Sequence, residues 1–173
     1  MDLRRQRDRP PTDDPLPGTD PHPDLVVRRL VAGDLDRMIA IDAKTTGRRR
    51  DEYLRLKLRQ ALTETGVEIS LMAEADGAGV GFLLACVHSG EFGRFEKAAV
   101  LDTIGVDPAF ARRGVGTALI DQLRTNLLGL GVRRLQTEVG WDNPALLSFF
   151  HHEGFDPAAR FCLDLDLEGS RRS

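Results

Sequence analysis

Residues 98–117, AAVLDTIGVDPAFARRGVGT, restrict the fold more tightly than any other part of the chain. Val100, Leu101, Thr103, Ile104 and Val106 make an apolar, β-branched run that reads as a buried strand. Asp107-Pro108 stops that strand, because proline has no N–H to give to a ladder. Arg112 and Arg113 then lead into Gly114-Val115-Gly116. A helical pattern begins at once, with Val115, Ala118, Leu119, Leu123, Leu127 and Leu130 mostly at three- and four-residue steps along one face.

Strand, glycine turn and helix N-terminus in that order form an anion site. First-turn amides lack intrahelical partners, and the helix dipole adds partial positive charge there. Glycines let the backbone approach a phosphate closely, and Arg112 and Arg113 add full charges. A glycine after a strand is also an ordinary tight turn, so a second motif must support the reading. Neither a GxGxxG fingerprint nor a P-loop is present, since Gly116 is followed by Thr117-Ala118 with no lysine. The expected phosphate ligand is therefore neither NAD nor ATP.

A chain of 173 residues with 41% hydrophobic side chains suits one domain with a sizeable core. Its net charge of -3 gives no general attraction to nucleic acid or to an anionic membrane. No apolar run approaches the roughly 18 residues of a membrane span, and the N-terminus lacks the apolar centre of a signal peptide. A cytoplasmic protein is the default expectation. Cys86 and Cys162 fall inside expected strands and read as buried reduced thiols, with a disulfide as the alternative.

Residues 1–24 hold most of the prolines, many charges and almost no large apolar side chains, and are expected to be a disordered tail. A strand is expected over 25–31. Asp34 is the expected N-cap of a helix carrying Leu35, Met38 and Ile39 on one face, and Gly47 ends it. Arg48-Arg49-Arg50 precedes a second helix over 51–65, with Leu54, Leu58, Ala61 and Leu62 inward. These arginines suit either an acidic ligand or a solvated loop. Gly66 stops the helix, and strands at 67–74 and 80–87 flank a hairpin turn at 75–79. A loop at 90–94, with Glu91, precedes the central strand. After the long helix comes a strand over 132–139. Asn143-Pro144 then reads as N-cap and first residue of a helix carrying Leu146, Leu147 and Phe150, with Gly154 at its stop. Residues 155–167 are expected to supply a last strand or strand pair, leaving a polar end at 169–173.

The resulting order, β-α-α-β-β-β-α-β-α-β, is an α/β chain with a mixed, α+β-like sheet flanked by helices, distinct from the regular alternation of a doubly wound fold. Ala111-Arg112-Arg113-Gly114-Val115-Gly116, with the preceding LDTIGVDP, and Asn143 through Phe155, NPALLSFFHHEGF, resemble the two motifs of the GNAT superfamily of N-acetyltransferases. The likeness covers roughly residues 25–167, within a domain placed at 25–168. Alanine at 111 replaces the polar residue usual in that family. Glu138-Val139, followed three residues later by Asn143, is similar to the subgroup that acetylates protein N-termini.

The resemblance implies acetyl-CoA as cosubstrate, no metal, and an amine acceptor. The amides of Arg112, Arg113, Gly114, Val115, Gly116 and Thr117 would hold the pyrophosphate. The backbone of Ile104, Gly105 and Val106 would line the pantetheine and acetyl group, Asn143 would reach the pantetheine arm, and Phe150 would stand where the family commonly has a tyrosine acid. A splayed strand end suits an amide-rich ligand.

Acetyl transfer needs a neutral amine, an oxyanion donor and a proton for the leaving thiolate. Glu138 stands at the position of the subgroup's base; its other reading is a surface glutamate in a cross-strand pair. Asp102 is the second candidate base, because a carboxylate in an apolar strand must find a partner or line a cleft. Its other reading is a buried cap on a neighbouring loop. Phe150 cannot donate a proton, and the single tyrosine, Tyr53, lies in another helix. Either the thiolate leaves unaided or takes a proton from water, or the chain binds acetyl-CoA without catalysis. A third reading is an interaction domain using the arginine loop and the tail. His151 and His152 read as solvated, with no third ligand at metal spacing. Acceptor specificity is expected from loops at 45–50 and 90–94, and a homodimer through the final strand stays open.

Overall fold

The computed structural model describes residues 25–63, 69–89 and 96–167. The expected tail, the polar end, the helix stop at Gly66 and the loop at 90–94 with Glu91 lie outside the described residues. The chain divides into two compact units, one ending at Glu138 and one beginning at Val139.

The first unit is built on a five-stranded sheet in the order β1-β2-β3-β4-β5. Its elements are β1 (Val26–Arg29), α1 (Leu35–Thr46), α2 (Asp51–Thr63), β2 (Leu71–Ala75), β3 (Ala78–Ser89), β4 (Lys97–Val106), α3 (Val115–Gly129) and β5 (Leu135–Gln136). All pairings are antiparallel except β4 with β5. The β2–β3 turn is two residues, Asp76-Gly77, both left-handed with φ of 52° and 74°. That is the turn twist that hairpin strands prefer, and Asp-Gly supplies it at low cost. Gly47, at φ 73°, stops α1 as expected, its N–H bonding Ala43 O at 3.0 Å.

Alternation along the strands divides the core between two sheet faces. Met72, Phe82 and Leu84 face α1 and α2, where Met38, Ile41, Leu54 and Leu58 are buried against them. Val115, Leu119, Ile120, Leu123 and Leu127 form the buried side of α3 on the other face. Gly81 permits that packing: a Cβ there would lie 2.7 Å from Val115 Cγ1 and 3.3 Å from Leu119 Cδ1. No helix of the described residues is long and apolar enough to cross a membrane.

In the second unit, α4 (Pro144–His152) has Asn143 as N-cap, its Oδ1 accepting the Leu146 N–H at 3.1 Å. Phe155 N–H closes back on Phe150 O at 2.9 Å around the left-handed Gly154, so the helix stops where its glycine indicates.

Several expectations are corrected. Asp34 does not cap α1: its side chain takes the Val31 N–H at 2.8 Å and both Arg28 guanidinium nitrogens. A 3₁₀ turn, Ala32–Asp34, leads into the helix instead. The strand expected over 132–139 is only Leu135–Gln136. Residues 155–167 form no strand, and Phe161, Leu163, Leu165 and Leu167 are 70–94% exposed. Their alternation is strand-like, but a strand without a paired edge has nothing to hold it. Cys162 is accordingly exposed and outside any strand, and Cys86 is half-buried in β3; the two form no disulfide with each other.

Candidate active site

The site is organised by an irregularity in β4. Leu84 pairs with Thr103 and Ala85 with Leu101, so Asp102 is an extra residue on β4. Such a bulge breaks the strict alternation of side chains. Asp102 and Thr103, neighbours in sequence, consequently both reach the same side chain on α2. Tyr53 Oη donates to Asp102 Oδ2 at 2.7 Å and lies 2.9 Å from Thr103 Oγ1. Lys57, one helical turn beyond Tyr53, donates to Asp102 Oδ1 at 2.6 Å.

On the opposite edge β4 opens at the same level. Its parallel pairing with β5 covers only Ala99–Leu135 and Val100–Gln136, and Thr137 Oγ1 donates to Leu101 O at 2.9 Å. From Asp102 to Val106, no described strand pairs with that edge. Ile104, Gly105 and Val106 thus present main-chain groups on one edge while β3 secures the other. Gly105 is needed where it stands, because a Cβ would sit 2.9 Å from the Phe82 ring.

Beyond β4, the turn into α3 contains two left-handed residues, Arg112 at φ 59° and Gly114 at φ 73°. Glycine accepts that conformation freely, whereas an arginine is strained there by an amount on the order of 1 kcal/mol. The first intrahelical bond runs from Ala118 N–H to Gly114 O, so Val115 and Gly116 lie in the turn whose amides point out of the helix. Arg112 and Arg113 are exposed and make no ion pair among the described residues; Arg113 stacks on Phe110 with 5.4 Å to the ring centroid. Thr117 is exposed one residue further on. A curled backbone, outward amides and unpaired cations suit a pyrophosphate.

The turn is anchored from below by Asp107. Its side chain is 4% exposed, accepts from Lys44 at 2.8 Å, Arg37 at 3.0 Å and the Ala109 N–H at 3.2 Å, and ties α1 to the end of β4. Lys44 in particular holds its carboxyl below the usual carboxylate range.

Asp102 behaves differently, with 26% of its side chain exposed. Burial pushes its carboxyl up, but the Lys57, Tyr53 and Thr103 bonds outweigh that and leave it lowered. Burial raises the Tyr53 phenol, and the neighbouring carboxylate adds to the shift. Asp102 is therefore a partnered carboxylate of a polar cluster and not a loop cap.

Glu138 is exposed and lies past the end of β5, off the strand on which it was expected. Asn143 has its carboxamide oxygen committed to capping α4, which leaves the NH₂ as its donor. Phe150 is 4% exposed, with Phe149 and Phe155 rings 5.3 Å and 5.0 Å away, and is core to the second unit. Of the three arginines, Arg50 is bidentate on Asp42 and stacks on Tyr53, and Arg49 pairs with Asp51. Sequence reasoning missed Tyr53, Lys57 and Thr103 as site residues. The available signal was Tyr53 and Lys57 at an i, i+4 spacing beside the apolar Leu54–Leu58 stripe. No group of three or more potential metal ligands occurs among the described residues.

Residues 35–155 match the model of the acetyltransferase (GNAT) family, and the chain belongs to that family. An L-2,4-diaminobutyric acid acetyltransferase of Nocardia farcinica (strain IFM 10152) is 32% identical over 81 residues, or 47% of this chain. That match spans 40% of the length of the curated relative. The aminoglycoside N-acetyltransferase AAC(6')-Iy, solved in complex with CoA, superposes with a TM-score of 0.69 at 19% identity, over 83% of this chain and 95% of that one. A ribosomal-protein-alanine N-acetyltransferase from Brucella melitensis biovar Abortus 2308 gives 0.66 at 20% identity, over 83% and 99%. At those identities the structural likeness shows the shared fold.

Proposed function

We propose that this protein transfers an acetyl group from acetyl-CoA to a primary amine, on a small molecule or a protein N-terminus, by direct attack in a ternary complex. One observation carries the reading: β4 has an open edge that begins at the Asp102 bulge and runs toward the left-handed turn at the start of α3. In this reading the amides of residues 112–117 take the pyrophosphate. Ile104 to Val106 line the pantetheine and acetyl group. Backbone N–H groups fixed on a strand polarise a carbonyl without having to reorganise. Asp102 and Glu138 are the two carboxylates offered as base, and Asp102 sits beside the open edge of β4 with Tyr53, Lys57 and Thr103 as partners.

The relatives' names span an amino acid, an aminoglycoside and a ribosomal-protein alanine. The test follows that span: CoA release from acetyl-CoA with L-2,4-diaminobutyrate, an aminoglycoside and an alanine-terminated peptide. Turnover above the protein-free rate with any of them supports the reading. Failure with all three and with a wider amine panel overturns it.

The burial of Phe150, at the position where the family commonly has a tyrosine, favours a second reading as a non-catalytic acyl-CoA-binding module. Calorimetry separates the two. Acetyl-CoA binding without turnover on any amine supports the module, and binding with turnover supports the enzyme.

A further inference from the structure

We propose that Tyr53, supplied by α2, is the catalytic proton donor to the leaving thiolate, and that Asp102 returns to it the proton taken from the acceptor amine. This rests on the acetyl-transfer reading and assigns the proton path within it.

Five features support this assignment. The bulge turns Asp102 and Thr103 toward α2 together, which a regular strand would not do. The open edge of β4 starts at this same level, so an acyl group lying along Ile104 to Val106 ends about one residue, roughly 3.4 Å, from Thr103. Tyr53 Oη is within 2.9 Å of both Asp102 Oδ2 and Thr103 Oγ1. Lys57 Nζ, 2.6 Å from Asp102 Oδ1 and 5.8 Å from the Tyr53 ring centroid, keeps a positive charge beside both groups. Asp102 has three protein donors on it and remains partly open to solvent, so a further polar group has access to it.

The steps balance. The neutral amine nitrogen attacks the acetyl carbon, a C–N bond forms, and the carbonyl π electrons move to oxygen. Asp102 takes one proton from that nitrogen. Collapse re-forms the carbonyl, the C–S bond breaks, and sulfur leaves with the electron pair. Tyr53 Oη–H protonates the sulfur, and the phenolate recovers a proton from the Asp102 carboxyl. One proton has moved from nitrogen to sulfur, giving the N-acetyl amine and CoA thiol. The lowered Asp102 carboxyl favours the last transfer, from carboxyl to phenolate, and the raised Tyr53 phenol rests protonated at neutral pH.

Tyr53 is the chain's one tyrosine, so biosynthetic replacement of tyrosine by difluorotyrosine alters this phenol alone. Initial rates are measured against pH for the ordinary and fluorinated proteins and for Tyr53→Phe, using acetyl-CoA and the fastest acceptor of the three named above. The ordinary protein should hold its kcat through the normal tyrosine range near 10, because the Tyr53 phenol is raised. Fluorination acidifies the phenol and should bring a fall in kcat to lower pH. Tyr53→Phe should lose about 100-fold in kcat, with an unchanged acetyl-CoA Kd by calorimetry. Superimposable pH profiles for the ordinary and fluorinated proteins would overturn the proposal, as would a Tyr53→Phe rate within twofold. Should Tyr53→Phe fail to fold, the fluorinated protein still decides, because fluorine changes the acidity and keeps the hydroxyl. If the ordinary protein turns over and the fluorotyrosine shift is absent, the proton path alone falls. If no acceptor turns over, the transfer reading and this proposal fall together.

Discussion

β4 carries an aspartate at its bulge and another just past its end, and the two are set in different surroundings. Asp107 is 4% exposed and receives two cations and a backbone amide, so no side of it faces an incoming molecule. Asp102 receives one cation and two hydroxyls with 26% of its side chain exposed, beside the edge of β4 that no described strand covers. A carboxylate saturated by its own protein holds elements together. One left partly open beside a cleft keeps capacity for chemistry. Both are lowered, so the direction of a pKa shift does not tell them apart; access does.

The largest effect is expected from Asp107→Ala. Removing the carboxylate leaves Lys44 and Arg37 facing each other and uncaps the turn at Ala109. The cations are 37% and 52% exposed, so losing these bonds to a charged group costs about 2 kcal/mol, which urea unfolding would show as a lower midpoint. Because the folded-state value lies below the ordinary one, this contribution is complete above the unfolded carboxylate value. It is lost as pH falls through the folded one, so the wild-type advantage over Asp107→Ala should shrink below about pH 4. An advantage that held undiminished at pH 2 would show that Asp107 is no charged anchor.

Asp102→Asn tests the other half of the contrast. The amide keeps the size and one acceptor oxygen, for Lys57, while its NH₂ donates toward the Tyr53 and Thr103 hydroxyls, and it cannot take a proton from an amine. A roughly 100-fold loss in kcat is expected, with thermal stability within a few degrees of wild type and acetyl-CoA affinity retained. If stability falls as far as in Asp107→Ala while the rate holds, the two aspartates do the same work and the distinction collapses.

How this contrast escapes the sequence is instructive. An aspartate inside an apolar strand announces that it has a partner, and Asp102 does, but nothing local names Tyr53, 49 residues away. A bulge leaves no mark in the alternation of VLDTI either, since it depends on how β3 pairs. Where structure follows from local backbone chemistry, the sequence is readable: Asp76-Gly77 makes its hairpin, Gly47 and Gly154 stop their helices, and Asn143 caps α4. The strand–turn–helix from β4 into α3 was readable for the same reason. Residues 155–167 show the converse. Phe161, Leu163, Leu165 and Leu167 alternate as a strand would, yet pairing is decided by a partner edge and not by the segment itself.

Gly81→Ala should act on the cofactor end of the comparison. The new Cβ would lie 2.7 Å from Val115 Cγ1 and 3.2 Å from Gly105 O. Val115 is β-branched and buried, so it cannot swing away without moving the first turn of α3. A loss of roughly tenfold in acetyl-CoA affinity, about 1.4 kcal/mol, should appear in calorimetry with kcat at saturating substrate little changed. Unaltered affinity would separate the turn at Gly114 from the site.

Arg49→Ala should do least. Arg49 sits among three consecutive arginines that invite an anion-binding reading, yet it pairs with Asp51 two residues along, with 71% of its own side chain exposed. Ion pairs that open to water are screened and contribute little. Melting temperature, acetyl-CoA affinity and turnover should all match wild type within error. Arg50→Ala, by contrast, removes the bidentate contact to Asp42, whose side chain is 4% exposed, and the stacking on Tyr53. If Arg49→Ala weakened an acidic acceptor while sparing neutral ones, the arginine run would belong to the acceptor site, and the site would extend from the Asp102 cluster along the start of α2.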